Sequence, residues 1–426
     1  MDGKSPSNCR RNACRNGDEH TGWEISDRSE KWECLVGGDK CAILSYVHMN
    51  LTEIKFIVRK CIERQMNTTG QSNTRYNGFD IAKFIMAIFV VTLHAHPLAD
   101  ISFNLNYAVT NGLTRVAVPY FFMASGFLLF RKMSLYELDM ARIKRYLIHI
   151  FRLYVVWTII YLPIIIYTGI LKAQKGILHG TATVVRNTIM SGSYLQLWFL
   201  QALLVAAILV TVLLYYKVRI RWIFILTLFG YMIAVIGVQD YAVFDYFCPE
   251  GSMGYKIFKT LRLVFVTPRN GICFGALYFF MGAYLSQKLC DIPIRRLKQY
   301  IAVFFVLLMI EVMGSSFCGL TKISYSHDCY IFLIPLTYYV FLYTKAVKLK
   351  DSPVWGYLRK QSMFVFYIHA WWLFLVAIIF GGSKHALVNL GTVGVYLIAL
   401  VLSIVSSHII IALSKKERFS FLRYLS

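Results

Sequence analysis

Acidic residues are scarce in this 426-residue chain, which holds 22 Asp and Glu against 45 Lys and Arg and carries a formal net charge of +23. Segments of about ten residues with alternating hydrophobicity, the pattern of a transmembrane β-barrel, are absent as well. Long apolar runs are plentiful instead, since 57% of the residues are hydrophobic and the mean hydropathy is +0.55. The composition therefore predicts an all-α polytopic membrane protein.

Apolar runs long enough to cross the hydrocarbon core, about 20 residues each, recur from residue 79 onward. We predict ten spans in a transmembrane helical bundle. They lie near residues 80–98, 113–130, 151–171, 195–215, 221–238, 271–287, 299–315, 329–344, 362–380 and 391–413.

The charges between these runs predict the orientation. If the N-terminus is cytoplasmic, the inner segments hold 27 Lys and Arg and the outer loops hold 9. Because cytoplasmic loops carry the excess of basic residues, we expect both termini to be cytoplasmic. The same asymmetry accounts for the net positive charge through topology and contact with anionic membrane lipids, so we expect no nucleic-acid partner.

The first 78 residues differ from the rest. They are polar, and they hold Cys9, Cys14, Cys34, Cys41 and Cys61. We expect a disordered cytoplasmic tail, with two alternatives: a zinc site, although the cysteine spacings lack a C-x2-C hook, or translation that begins at a later methionine. A transmembrane domain over residues 79–413 and a basic cytoplasmic tail over residues 414–426 complete the predicted organisation. Cys318 and Cys329 have two open alternatives: a disulfide between them, or two free thiols.

An ionisable pair in the first span is the strongest functional signal. Lys83 and His94 are eleven residues apart in one apolar run, so they share a helix face and lie roughly 16 Å apart along the axis. Ionisable groups at membrane depth are costly and usually functional. The structural alternatives are a lysine that snorkels to the inner surface and a histidine that hydrogen-bonds between helices.

Three further stretches stand out. Arg115 is predicted at the outer end of the second span, where the pair Ser125-Gly126 lets another helix approach closely. A basic helical stretch follows over residues 142–154 at the predicted cytoplasmic mouth, and His369 lies inside a late span, where we expect a structural role.

Taken together, these motifs resemble the acyltransferase-3 family of membrane acyltransferases over residues 74–413. The resemblance is carried by Lys83-x10-His94, by the run Arg115-Val-Ala-Val-Pro-Tyr-Phe-Phe-Met-Ala-Ser-Gly126, by Arg152-Leu-Tyr154, by Leu197-Trp-Phe-Leu200 and by Ser362 with Tyr367-Ile-His369. Within the family, the run Pro268–Gly275 is similar to the membrane halves of vancomycin-resistance serine racemases. This sequence shows no racemase domain after its spans, so we expect no racemisation from it.

The resemblance implies transfer of an acyl group, usually acetyl, from cytoplasmic acyl-CoA to a hydroxyl of a cell-envelope sugar, glycan or glycolipid, in a bacterial-type plasma membrane. It assigns catalysis to His94 and donor binding to Lys83, Arg145 and Arg152, with Lys83 standing where arginine is commoner in the family. Four more residues are assigned to the acceptor or to structure: Arg115, Ser125, Arg269 and Asn270. Acyl-CoA is then a co-substrate, and neither a bound cofactor nor a metal is expected.

General chemistry agrees with this assignment, because acylation of a hydroxyl needs a base and cationic groups that hold the phosphates of the donor. The alternative from another functional class is a transporter of a small substrate such as an amino acid. The sequence shows no inverted repeat and no matching pair of interrupted spans, both of which are typical of transporters.

Overall fold

A computed structural model of the chain describes residues 76–174, 176–238, 249–265, 267–288, 292–317, 328–380 and 390–425. The chain divides into two units, Met1–Thr74 and Arg75–Ser426, and all described residues belong to the second. The five cysteines of the predicted N-terminal tail therefore lie outside the described residues, as does Cys318. The zinc, late-start and disulfide hypotheses stay predictions.

The described residues form helices and connections, without a strand among them. We number the α-helices as follows: α1 Asn77–Ala95, α2 Phe103–Tyr107, α3 Ala117–Phe130, α4 Met140–Ile165, α5 Ile177–Met190, α6 Trp198–Tyr215, α7 Ile220–Val238, α8 Met253–Phe265, α9 Ala276–Leu285, α10 Ile294–Phe317, α11 Leu333–Ala346, α12 Pro353–Phe380 and α13 Gly391–Leu413.

Five shorter helical segments have other geometries. π-Helices cover Ala108–Leu113, Ile166–Leu171 and Gly271–Gly275, and 3-10 helices cover Thr114–Val116 and Glu417–Leu425. Several of these join neighbouring α-helices, so that residues 103–130 form one helical run and residues 140–171 form another.

Seven helical runs in the described ranges are long and apolar enough to cross a membrane: Asn77–Ala95, Phe103–Phe130, Met140–Leu171, Trp198–Tyr215, Ile294–Gly314, Pro353–Phe380 and Gly391–Leu413. Shorter apolar helices cover Ile220–Ile236 and Gly271–Leu285. The protein is therefore a helical multi-pass membrane protein. The count of ten spans and the cytoplasmic position of the termini stay predictions.

Several helices begin earlier than the hydropathy predicts. The second run starts at Phe103 rather than near residue 113, so Arg115 lies well inside it and not at its end. α4 starts at Met140 and α12 at Pro353, each through a basic stretch. A hydropathy profile places the end of a span at its charged residues. The helix itself continues past them, because long basic side chains reach the polar membrane surface. The sequence also gave no indication of α5 and α8, which lie in two predicted outer loops.

Glycines allow α3 and α9 to pack backbone against backbone. A Cβ atom added at Gly126 would collide with the carbonyl of Phe279, and one added at Gly282 would collide with the carbonyl of Met123. Small residues at helix interfaces permit such close approach in membranes. The expectation that another helix comes close at Ser125-Gly126 is thus confirmed, and the partner is α9.

The connections that the charge pattern predicts to be cytoplasmic meet at the Lys83 end of α1. Asn77 donates a hydrogen bond of 2.8 Å to Asp351. Lys345 donates to the carbonyl of Leu285 at 2.9 Å, and Gln287 donates to the carbonyl of Met133 at 3.0 Å. At the other end of α1, the backbone N–H of Thr392 donates to Asp100 at 2.6 Å. The predicted cytoplasmic loops therefore lie at one end of the bundle, and the predicted outer loops lie at the other.

The glycine contact gives the first prediction. We expect Gly126→Ala to destabilise the protein by about 1–3 kcal/mol, because overpacking against backbone atoms cannot be relieved by a rotamer change. The matched control is Gly314→Ala on α10, where an added Cβ meets no described atom within 4 Å. Unfolding in mixed micelles titrated with SDS measures both. Equal stability of the two variants would contradict the packing described.

Candidate active site

Two histidine rings stack at the far end of α1 from Lys83. α1 carries His94 and α12 carries His369, with ring centroids 5.4 Å apart and planes inclined by 18°. His369 is fully buried. Its Nδ1 lies 3.2 Å from the carbonyl oxygen of Val365, which makes Nδ1 the protonated nitrogen of the neutral ring. Its Nε2 has no hydrogen-bond partner among the described residues. The structure thus places a second imidazole, with a free lone pair, against His94.

Small residues on facing sides bring α1 and α12 close enough for this stacking. Ala87, Val91 and Val365 are fully buried and form one apolar cluster between the helices. Ala87 lies one turn beyond Lys83, and Val91 lies one turn before His94 on nearly the same face. The helix face that carries the two ionisable residues is therefore the face that packs on α12.

A buried ion cluster lies beside the histidines. Asp328 accepts hydrogen bonds from Arg115 through one carboxylate oxygen and from Arg269, at 2.5 Å, through the other. Asn111, one turn before Arg115, accepts two more hydrogen bonds from the Arg115 guanidinium, at 3.2 and 2.6 Å. Arg115, Asn111 and Asp328 are all buried. One carboxylate thus holds two guanidinium groups.

The loop before α9 fixes the position of Arg269. Asn270 accepts hydrogen bonds from the backbone N–H groups of Ile272 and Cys273, each at 2.9 Å, and so caps the π-helix that follows. The Arg269 guanidinium lies over the indole ring of Trp198, 4.7 Å from the centroid. Asn270 therefore shapes the loop, while Arg269 points to the ion cluster.

The cluster and the histidines form one electrostatic environment. The charged or titratable groups that act on His94 are His369, Arg269, Arg115 and His96. His96 ends α1 in a left-handed conformation, with φ of 47°, and its Nδ1 lies 3.4 Å from the side-chain amide nitrogen of Asn106. The structure thus brings together three of the predicted residues, His94, Arg115 and Arg269. We call His94, His369, Arg115, Asp328 and Arg269 the histidine–arginine site.

Lys83 belongs to a separate group at the opposite end of α1. It is partly buried, and the charges that act on it are those of Asp80, Arg359 and Arg131. Asp80 pairs with Arg359 of α12 at 3.2 Å. Three cationic side chains and one carboxylate thus surround this end of the α1–α12 pair.

The remaining predicted residues lie apart from both groups. Arg145 and Arg152 are exposed on α4, where Arg145 donates to the carbonyl of Ala141 and Arg152 contacts His149 and the ring of Tyr424. Ser125 is partly buried on α3, next to the glycine that contacts α9. The described contacts connect none of the three to His94.

The sequence does not identify Asp328 as part of the site, and it predicts no role for Trp198. Asp328 is an isolated acid before an apolar run, and its two partners are 213 and 59 residues away along the chain. The sequence carries only a general electrostatic signal: arginines in or beside apolar runs need a carboxylate nearby, but nothing in the sequence says which one. Trp198 was visible only as part of a motif.

A profile of the acyltransferase-3 family, described as an acyltransferase domain, matches residues 76–412. The chain belongs to the acyltransferase-3 family. The histidine–arginine site and the Lys83 group are therefore features of an acyltransferase-3 membrane domain.

Curated relatives of this acyltransferase-3 protein are named racemases. Two amino-acid racemases of Enterococcus faecalis are similar to it: one is 28% identical over 63% of the chain and 36% of the relative, and the other is 24% identical over 81% and 47%. A serine/alanine racemase of Enterococcus gallinarum is 24% identical over 68% of the chain and 40% of the relative. The chain thus spans less than half the length of each of these relatives. No solved structure matches it significantly.

The ion cluster gives the second prediction. We expect Asp328→Asn to destabilise the acyltransferase-3 domain by about 3–5 kcal/mol, because it leaves two guanidinium groups without their buried counter-charge. Asp351→Asn is the control, since Asp351 is an exposed hydrogen-bond acceptor whose loss costs about 1 kcal/mol. SDS titration in mixed micelles measures both variants. A similar small loss for the two would mean that Asp328 does not hold the arginines together.

Proposed function

We propose that the protein transfers an acyl group, acetyl in the first instance, from cytoplasmic acyl-CoA to a hydroxyl of a cell-envelope sugar or glycolipid. The family membership supports acyl transfer. The observation that carries the proposal is the position of His94, stacked on His369 and beside two arginines, three helical turns from a cationic group around Lys83.

The proposed reaction needs a base at the His94 end. His94 takes the proton of the acceptor hydroxyl as that oxygen attacks the thioester carbonyl. The carbon–sulfur bond of the thioester breaks, an ester bond forms, and the proton passes from His94 to the departing CoA thiolate. The positive charges of Arg269 and Arg115 beside His94 stabilise, through space and without a direct hydrogen bond, the negative charge that develops on the carbonyl oxygen.

The Lys83 group is the proposed binding site for the phosphates of the donor. Lys83, Arg131 and Arg359 supply positive charge at the end of the bundle where the predicted cytoplasmic loops meet. The long pantetheine arm of acyl-CoA connects phosphates held there with a thioester at His94. Arg145 and Arg152, exposed on α4 at the same predicted face, attract the donor or anionic lipids to the surface.

The acceptor end lies on the side that the loop charges predict to be extracytoplasmic. Arg269 and Asn270 belong to a connection on that side, which is why we propose an envelope acceptor. The bacterial origin of the racemase relatives supports a bacterial plasma membrane. Their racemase names describe whole proteins of which this chain spans less than half, so we do not propose racemisation for it.

Removal of the base is the third prediction. Membranes containing the wild type should transfer radiolabel from acetyl-CoA to envelope material, and His94→Ala should lower this transfer by at least about 100-fold, since a general base contributes this much or more. The control is His179→Ala on α5, an exposed histidine, which should leave transfer unchanged.

The elution profile of each variant and the amount of it in the membrane must match those of the wild type, which shows that both variants insert correctly. Equal transfer by the wild type and His94→Ala would refute the role of His94. If neither transfers label and the wild type instead accumulates a labelled small substrate without a covalent product, transport replaces acyl transfer as the function.

Donor binding is the fourth prediction. We expect Lys83→Ala to raise the Kd of acetyl-CoA about tenfold, the change that loss of one charge-assisted phosphate contact produces. Lys144→Ala on the exposed face of α4 is the matched control and should leave the Kd unchanged. Equilibrium binding of radiolabelled acetyl-CoA to the purified protein gives both values. Equal affinity in the wild type and Lys83→Ala would exclude Lys83 from the donor site.

A further inference from the structure

The two arginines of the histidine–arginine site are bonded very differently. Arg115 is buried, and all three nitrogens of its guanidinium have acceptors: Nε and Nη2 donate to Asn111, and Nη1 donates to Asp328. Its orientation is fixed by its own helical run and by Asp328. Arg115 is therefore a structural cation with no free edge for a ligand.

Arg269 keeps a free edge. Only Nη1 donates to Asp328, while Nε and Nη2 have no acceptor among the described residues. The side chain retains 30% of its exposure, against 5% for Arg115. The indole of Trp198 supports one face of the guanidinium, which holds its plane in place. A planar donor edge, fixed by stacking and open on one side, matches the two oxygens of a carboxylate or a phosphate group.

Charge points to the same class of ligand. The described site holds two guanidinium groups and one carboxylate, and both arginines act on His94. A partly buried site with an excess of positive charge favours an anion. Under the proposed function, the phosphates of the donor are held at the Lys83 end, roughly 16 Å away along α1. The anion at Arg269 is then a group of the acceptor.

We propose that the acceptor is a hydroxy acid: a molecule whose carboxylate binds the Nε–Nη2 edge of Arg269 while a neighbouring hydroxyl is presented to His94. This inference rests on the proposed function for the role of His94, and it adds the chemical class of the substrate. Arg269 is then the residue that selects a charged acceptor over a neutral one.

The fifth prediction uses glycerate, a small hydroxy acid, and glyceramide, its neutral counterpart with the same hydroxyls. Radiolabelled glycerate should bind saturably to the purified wild type in a non-ionic detergent, and glyceramide should not compete. Arg269→Gln should weaken glycerate binding at least about tenfold, because it removes a charged hydrogen-bonding partner. Arg269→Lys, which keeps the charge and loses the fork, should give an intermediate affinity.

Two controls separate a specific site from a general effect. Arg186→Gln, at an exposed arginine of α5, should bind glycerate like the wild type. The elution profile and unfolding midpoint of each Arg269 variant must match those of the wild type. No saturable glycerate binding to the wild type, equal competition by glyceramide, or unchanged binding in Arg269→Gln would overturn the proposal.

Further measurements distinguish other sources of an anion. If phosphatidylglycerol displaces bound glycerate no better than a neutral lipid does, the site recognises a carboxylate and not a lipid phosphate. If Arg269→Gln alters the binding of phosphatidylglycerol alone, Arg269 anchors a lipid and the proposal is wrong. If Arg269→Gln lowers the affinity for acetyl-CoA and not for glycerate, the proposal is wrong and the acyltransferase function stands. If His94→Ala still binds glycerate but no longer transfers the acyl group, the result supports both the acyltransferase function and the carboxylate site at Arg269. If the wild type binds glycerate but transfers no acyl group, the result supports the anion site and excludes the acyltransferase function.

Discussion

The bond of Asp328 to two arginines is the interaction on which the rest of the candidate site depends. A guanidinium is costly at membrane depth unless a carboxylate lies next to it, and here one carboxylate serves both Arg115 and Arg269. These three residues come from the second helical run, the loop before α9 and the segment before α11. Asp328 therefore joins three distant parts of the chain at one point beside His94, and the position of each arginine depends on the other two segments.

Irregular helices deliver both arginines to this point. The π-helix Ala108–Leu113 and the 3-10 turn Thr114–Val116 carry Arg115, and a π-helix follows directly after Arg269. Irregular backbone is tolerated at membrane depth where protein surrounds it and satisfies its polar groups. The buried hydroxyls of Thr110 and Thr114 bond to carbonyls one turn earlier, and Asn270 caps two free N–H groups. The distortions that would weaken an ordinary span are thus stabilised where the site needs them.

Features that depend on neighbouring residues can be predicted from the sequence, whereas contacts between distant parts of the chain cannot. The positions of the apolar helices, the shared face of Lys83 and His94, and the close approach at Gly126 all follow from spacing and residue size. The start of the second helical run was wrong because residues 103–112 are rich in asparagine, threonine and glycine, which are typical of loops. Here Asn106, Thr110 and Asn111 are buried and hydrogen-bonded. Asp328 could not be predicted because its partners are assigned only by the fold.

The direction of two helices bears on the number of spans. Asp80 at the start of α1 pairs with Arg359 near the start of α12, and His94 near the end of α1 stacks on His369 further along α12. The two helices therefore run in the same direction, so the chain between them must cross the membrane an odd number of times. The long apolar runs between them number four, which is even. The shorter apolar helices Ile220–Ile236 and Gly271–Leu285 bring the number to six, so an odd number needs one further crossing. The ten predicted spans contain that crossing at residues 329–344, and their count stays a prediction. The contacts at the two ends of α1 and α12 therefore limit the topology to an odd number of crossings between these helices, because they require the two helices to be parallel.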